Sequence, residues 1–123
     1  MPQRGALWIA SESAAMRFVA LDKLINLHDD YRREFRIDFH SLLLIQHKGE
    51  CYLLEALCPH QEHPLSEGWI EDGEIWCPLH GYRFSLLTGH LIHASNEACR
   101  PLKVWPVAYE GADIGVAWES DPA

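Results

Sequence analysis

Glycine-containing turns divide this 123-residue sequence into short segments, and their spacing constrains the fold more than any other feature. Asp72-Gly73 is a typical two-residue hairpin turn, and it lies between the apolar pairs Trp69-Ile70 and Ile75-Trp76. Further turns are predicted at Lys48-Gly49-Glu50, Thr88-Gly89 and Glu110-Gly111. Many short apolar segments at turn spacing are typical of all-β proteins, so the sequence predicts antiparallel strands joined by tight turns.

The predicted strands follow the apolar runs between these turns. Pro106 marks a bend or the edge of a sheet, because proline cannot donate a hydrogen bond to a neighbouring strand. We also predict one short helix near residues 21–28, where apolar residues recur at helical spacing. The strand segments are Ala6–Ala10, Phe35–Gln46, Cys51–Leu57, two short strands around Thr88-Gly89, and a closing hairpin whose arms meet near Glu110-Gly111.

Composition and charge narrow the class of protein. The sequence is 48% hydrophobic and 23% charged, so we expect one folded domain over residues 1–123. A formal net charge of −8 argues against nucleic-acid binding, which needs Lys and Arg to neutralise phosphates, and suits partners with basic surfaces. No apolar run approaches the roughly 20 residues that span a bilayer, and no signal peptide is evident. We therefore expect a cytoplasmic, monomeric protein without membrane attachment.

Two short loops combine cysteine and histidine: Cys58-Pro59-His60 and Cys77-Pro78-Leu79-His80. The Asp72-Gly73 hairpin folds the chain back so that the loops meet, and cytoplasmic Cys/His clusters more often bind metal than form disulfides. Two sites suit this set of two thiolates and two imidazoles. One is a tetrahedral zinc site, for which His63 has better spacing from Cys58 than His60. The other is a [2Fe–2S] cluster with two Cys and two His ligands.

The order C-x-H, sixteen residues, C-x-x-H resembles the signature of the Rieske iron–sulfur family. The run PLSEGWIEDGEIWCPLHGYRFSLLTG is also similar to soluble Rieske ferredoxins. The resemblance implies a β-sandwich or barrel-like base with a small cluster-binding subdomain at about residues 56–88. It implies that Cys58 and Cys77 hold one iron while His60 and His80 hold the other. His63 is then a polar loop residue.

The same resemblance implies an electron carrier rather than a catalyst by itself. A soluble Rieske ferredoxin passes single electrons from a flavin-dependent reductase to a terminal oxygenase or similar acceptor. A terminal oxygenase would also need a mononuclear iron in a large second domain, and this sequence ends shortly after the motif. The alternatives are a small subunit of a larger oxidoreductase, such as assimilatory nitrite reductase, and a zinc-stabilised binding module.

The residues after the second cysteine predict a low reduction potential. High-potential relatives carry a disulfide cysteine where this sequence has Leu79, a hydroxyl where it has Tyr82, and a tyrosine where it has Phe84. A reduced cluster that accepts fewer hydrogen bonds has its negative charge stabilised less, so we expect a reduction potential of about −150 mV. The sequence leaves open where the Tyr82 hydroxyl points.

The other cysteine, histidine and tryptophan residues are predicted to have no ligand role. Cys51 and Cys99 are predicted to be structural or incidental, and His90 and His93 to be surface residues. Trp69 and Trp76 flank the hairpin, and we expect both to pack beneath the cluster.

Overall fold

The computed structural model describes residues 16–119, and the strand predicted at Ala6–Ala10 lies outside them. Within this range eleven strands form three antiparallel sheets, and no α-helix is present. The all-β prediction is therefore confirmed. The chain divides into two compact units, one containing residues 16–26 and 107–119 and the other Leu27–Pro106. The assignment of residues 1–123 to a single domain stays a prediction.

The short helix predicted near residues 21–28 is wrong. The first strand, β1 (Met16–Lys23), continues to Lys23, which pairs with Asp113 of the last strand. Only a single 3₁₀ turn follows, at Leu24–Asn26. The apolar residues at helical spacing do not form a buried face, because Ile25 is 90% exposed. Pairing with a neighbouring strand satisfies the backbone of residues up to Lys23, and this tertiary interaction overrides the local helical pattern.

The first unit contains one three-stranded sheet in the order β1-β11-β10. The predicted closing hairpin is confirmed, since β10 and β11 pair through Glu110 and Asp113 around the turn at Gly111. Alternate residues Ile114, Val116 and Trp118 of β11 are buried, which is the pattern of a strand with one face in a core. The strands are β1 (Met16–Lys23), β10 (Ala108–Glu110) and β11 (Asp113–Glu119).

The first sheet of the second unit has the order β2-β3-β4-β9. The run Phe35–Gln46 predicted one strand, but it contains the end of β2 and most of β3. The chain turns between them at Asp38, which adopts a positive φ of 54°. Residues Leu42–Ile45 of β3 are completely buried, as expected for a continuous apolar run in a central strand. The strands are β2 (Arg32–Ile37), β3 (His40–His47), β4 (Glu50–Glu55) and β9 (Val104–Trp105).

The second sheet of this unit has the order β5-β6-β7-β8 and carries the predicted Asp72-Gly73 hairpin. Asp72 and Gly73 have φ values of 53° and 74°, the left-handed pair that a type I′ turn requires. The two strands around Thr88-Gly89 are also confirmed, as β7 and β8. The strands are β5 (Trp69–Glu71), β6 (Glu74–Trp76), β7 (Arg83–Ser85) and β8 (Leu91–His93).

One hydrophobic core joins the two sheets of the second unit. Leu43 and Leu54 contribute from the first sheet, and Ile75 and Phe84 from the second. Cys58 and Cys77 belong to the same core and are almost completely buried. The cysteine ends of both Cys/His loops are therefore anchored in close-packed apolar structure, which restricts their movement.

Candidate metal centre

The two Cys/His loops share one backbone hydrogen-bonding pattern. In the first loop the amide of Cys58 donates to the carbonyl oxygen of His63 (2.9 Å), and the amide of Glu62 donates to that of Cys58 (2.6 Å). In the second loop Cys77 donates to Tyr82 (2.7 Å), and Gly81 donates to Cys77 (2.9 Å). Each loop is thus closed between the cysteine and the residues four and five positions later, so the two loops have matching folds.

The matched folds impose the same backbone conformation at one position in each loop. Four residues after each cysteine the chain takes a positive φ, 56° at Glu62 and 73° at Gly81. Glycine adopts this left-handed region without steric cost, whereas a residue with a β-carbon is strained there. The loops differ in composition at this position while having the same conformation, so the closing hydrogen bonds determine the loop shape.

The two cysteine thiols lie together at the inner end of the loops. Burial raises the pKa of the Cys58 thiol to about 11, and the adjacent Cys77 thiol raises it as well, while the amide groups of His60 and Gln61 oppose this rise. A bound metal ion displaces the proton from a coordinating thiol regardless of such a rise. The backbone N–H groups of His60 and Gln61 are thus directed at the sulfur and would stabilise a thiolate.

The two predicted histidine ligands lie together as well. The ring centroids of His60 and His80 are 5.2 Å apart, with 72° between the ring planes. His80 is exposed, whereas His60 is half-buried, and its Nδ1 atom is buried without a hydrogen-bond partner. A buried nitrogen without a partner is costly, and coordination to a metal would remove that cost.

Tyr82 supports His60 from the second loop, a contact that the sequence did not predict. The two rings are stacked, with centroids 4.0 Å apart and 14° between the planes. The Tyr82 hydroxyl donates a hydrogen bond to the carbonyl oxygen of Glu97, and burial raises the pKa of this phenol. Ser95 Oγ donates to the carbonyl oxygen of His80 at 2.6 Å. The segment containing Ser95 and Glu97 therefore braces the second loop at two points.

His63 contributes to its loop through the backbone rather than through its ring. Its carbonyl oxygen closes the loop to Cys58, while its Nε2 atom lies 3.3 Å from a carboxylate oxygen of Glu67. His63 is the positional equivalent of Tyr82, five residues after its cysteine. An aromatic residue five positions after Cys77, in the loop that meets His60, is the sequence signal that could have indicated the support that Tyr82 gives.

The donor set fits a two-iron cluster. A Rieske cluster takes two protein ligands on each iron, two thiolates on one and two imidazoles on the other. The adjacent thiols of Cys58 and Cys77, the adjacent imidazoles of His60 and His80, and the unpartnered His60 Nδ1 match this requirement.

Comparison with known proteins identifies the family. A family model described as a Rieske [2Fe–2S] domain matches residues 17–106. The chain belongs to the Rieske family. Proteins of this family carry a [2Fe–2S] cluster, so the predicted cofactor, one Rieske-type cluster, is confirmed.

Individual relatives define the Rieske protein more closely. It is 30% identical to the ferredoxin component of the alkene monooxygenase system of Xanthobacter autotrophicus, over 91% of this chain and 90% of that protein. It is 36% identical to the naphthalene 1,2-dioxygenase system ferredoxin component of Pseudomonas aeruginosa, over 63% and 73% of the two chains. Resemblance of this extent places it among the Rieske ferredoxins, as the sequence predicted.

A solved structure supports the same fold. The ferredoxin of carbazole 1,9a-dioxygenase from Nocardioides aromaticivorans IC177 superimposes with a TM-score of 0.71 and 27% identity, covering 81% of this chain and 96% of that one. The predicted Rieske fold is thereby confirmed. Within residues 16–119 no helix is long and apolar enough to cross a membrane.

The structure also places the remaining residues singled out in the sequence. Trp69 is 63% exposed, so the expectation that it packs beneath the cluster is wrong, and Trp76 is only half-buried. Cys51 and Cys99 are half-buried and form no disulfide, and Cys99 packs against the core that contains Cys77. His90 and His93 are exposed, as predicted.

Proposed function

We propose that this ferredoxin carries single electrons from a flavin-dependent reductase to a terminal oxygenase. Its [2Fe–2S] cluster would be held by Cys58 and Cys77 on one iron and by His60 and His80 on the other. The observation that carries the proposal is the pair of matched loops, which present two buried thiols at one end and two adjacent imidazoles at the other.

The residues on the inner and outer sides of the site have different roles. When bound, the cluster supplies a group that accepts and donates one electron. Cys58 and Cys77, buried in the hydrophobic core, keep water from the inner side. His80 is exposed on the outer side, so a docked protein can approach the imidazole closely. Electron exchange would therefore take place through the histidine side.

The ligand arrangement also favours a carrier over a catalyst. With two protein ligands and two sulfides, each iron in a Rieske cluster already has four ligands and no position for substrate. The named relatives serve as ferredoxin components of monooxygenase and dioxygenase systems. A fixed small subunit of a nitrite reductase is disfavoured, because the chain is 30% identical to a ferredoxin component over nine-tenths of its length and carries all four proposed cluster ligands.

Charge and thiol state support the predicted partners and location. The net charge of −8 suits docking to basic surfaces on the reductase and the oxygenase, since opposite potentials speed encounter. None of the four cysteines forms a disulfide, which fits a reducing compartment, and we propose the cytoplasm. We further propose that the carrier is a monomer, which can present the same histidine side to each partner in turn.

Stopped-flow spectroscopy tests this function directly. The purified ferredoxin is mixed with NADH and the flavin-dependent reductase of a naphthalene dioxygenase system, and then with the oxygenase component of that system. We expect bleaching of the visible cluster absorption in the first step and its return in the second. Stable co-purification with a larger redox enzyme at a fixed stoichiometry, without electron exchange with either component, would instead indicate a fixed subunit.

A further inference from the structure

The outer face of the cluster-side sheet carries an ordered row of side chains. Trp69 pairs with Trp76, Trp76 with Arg83, and Arg83 with His93, so these four residues follow one another across β5, β6, β7 and β8. The adjoining row, Ile70, Ile75, Phe84 and Leu91, lies on the opposite face, and its central members Ile75 and Phe84 are buried in the core. The Trp69 row is therefore the solvent side of the sheet, and Trp76 within it directly precedes Cys77.

Trp69 is held in place although it is exposed. Its side chain is 63% exposed, and its indole Nε1 donates a hydrogen bond of 2.8 Å to Glu71 Oε1. Next to it the Arg83 guanidinium lies over the Trp76 ring, 5.0 Å from the centroid. A large aromatic side chain that is already ordered loses little conformational entropy on binding, and exposed tryptophans of this kind are frequent hot spots of interfaces.

The charge around Trp69 indicates what kind of surface would cover it. Glu71 and Asp72 are exposed, and Glu74 shares the outer face with them. Arg83 is the one permanent cation of the row, and it is paired with Glu74 at 3.3 Å. The face as a whole is therefore acidic with an apolar centre. Its complement is an apolar or aromatic depression bordered by Lys and Arg side chains.

We propose that this face, centred on Trp69 and bordered by Glu71, Asp72 and Glu74, is a docking surface for a basic electron-acceptor protein. The proposal rests on the proposed carrier function and names the surface by which the acceptor is recognised. Trp69 lies opposite Trp76, and Trp76 directly precedes Cys77, so an acceptor anchored here is positioned beside the second loop of the site.

Electron transfer to oxidised cytochrome c, a basic protein with an exposed haem edge, tests the surface. The reduced ferredoxin is mixed with cytochrome c at low ionic strength, and the second-order rate constant is measured for wild type and Trp69→Ala. Loss of a hot-spot side chain should lower this constant by about tenfold. Glu71→Gln should lower it less and should weaken its dependence on salt, because one of the attracting charges is removed.

Two controls separate docking from the carrier function. Ile25→Ala removes an equally prominent apolar side chain, 90% exposed, from the 3₁₀ turn Leu24–Asn26 outside this sheet, and its rate constant should stay within about twofold of wild type. Ferricyanide, a small acceptor that needs no docking surface, should react at the same rate with all variants. The docking proposal is wrong if Trp69→Ala matches wild type, if Ile25→Ala falls equally, or if wild type reduces ferricyanide but not cytochrome c. A wild-type protein whose cluster cannot be reduced or reoxidised would overturn the carrier function itself.

Discussion

The ring of Tyr82 lies parallel to the imidazole of His60, with centroids 4.0 Å apart, and the two residues belong to different loops of the metal centre. The Tyr82 hydroxyl reaches past the site to the carbonyl oxygen of Glu97. The tyrosine therefore links the first loop, the second loop and the bracing segment.

Two substitutions at Tyr82 should distinguish the contribution of its ring from that of its hydroxyl. Tyr82→Phe keeps the stack and loses one hydrogen bond, so we expect an unchanged reduced-state EPR spectrum and a loss of about 1 kcal/mol in unfolding free energy. Tyr82→Leu removes the support for His60, so the EPR spectrum should shift and the cluster should be lost several-fold faster. Phe84→Leu, which removes a ring from the same core, is the control. Equal rates of cluster loss in Tyr82→Leu and Phe84→Leu would mean that Tyr82 acts only by packing.

The reduction potential should be low. The Tyr82 hydroxyl is engaged by Glu97, and Phe84 has no hydroxyl, so neither side chain is available to stabilise negative charge on the reduced cluster. We expect a reduction potential of about −150 mV in a redox titration that is monitored by visible absorption. A potential above zero would show that other donors compensate for these two positions.

Single histidine substitutions distinguish the proposed ligand from its neighbour. His60→Ala should abolish the visible absorption and the bound iron, because it removes a ligand that no neighbour can replace. His63→Ala keeps the backbone bond from Cys58 and loses only the contact with Glu67, so it should retain a full cluster. Iron and sulfide analysis of both purified variants makes the comparison. Loss of the cluster in His63→Ala would contradict the proposed ligand set.

Backbone conformation at Gly81 should matter for retention of the cluster. Gly81→Ala places a β-carbon at a φ of 73° with nothing within 4 Å, so its cost is the left-handed backbone strain of about 1 kcal/mol. We expect lower thermal stability and faster loss of visible absorption. Gly111→Ala is a matched control, since its φ is 59° and it also has open space. That variant should lose similar stability without affecting the cluster. Identical cluster lifetimes in both variants would contradict a role for the loop conformation.

Acid should weaken the hydrogen bonds that tie Glu55 to Arg100 and Lys103. The Glu55 carboxylate accepts two hydrogen bonds from Arg100, of 2.7 and 2.8 Å, and one from the Lys103 amide. Burial alone raises the pKa of Glu55, but these hydrogen bonds outweigh it and leave the pKa below its ordinary value of 4.5. A carboxyl whose pKa is lower in the folded state stabilises the protein fully above the unfolded value, and this contribution is lost as the pH falls through the folded value.

Thermal unfolding at several pH values checks the sign of this effect. Glu55→Gln should lower the melting temperature at pH 7, and its difference from wild type should shrink as the pH falls below about 4.5. Glu50→Gln, an exposed glutamate in the same strand, should match wild type throughout. A difference for Glu55→Gln that does not change with pH would mean that the side chain acts by shape rather than by charge.

The sequence alone indicated the all-β class and the glycine-containing turns, because turn chemistry is a local property. The four proposed ligands came from the resemblance of the two Cys/His loops to the Rieske signature, since spacing alone left both His60 and His63 open. The Asp72-Gly73 hairpin followed from the left-handed preference of those two residues, and the structure has it. The helix predicted near residues 21–28 was wrong because its outcome was not a local property. Its outcome depended on pairing between β1 and β11, which are distant in sequence.

Only the tertiary structure decided the surroundings of the metal centre. The sequence could not show that Tyr82 stacks on His60, because this contact joins two loops whose relative position depends on the packed core. It could not show that Trp69 faces solvent, because the outward face of a strand is determined by what packs on the other side. The local sequence thus supplied the candidate donors, while long-range packing determined which side chains support them and which face solvent.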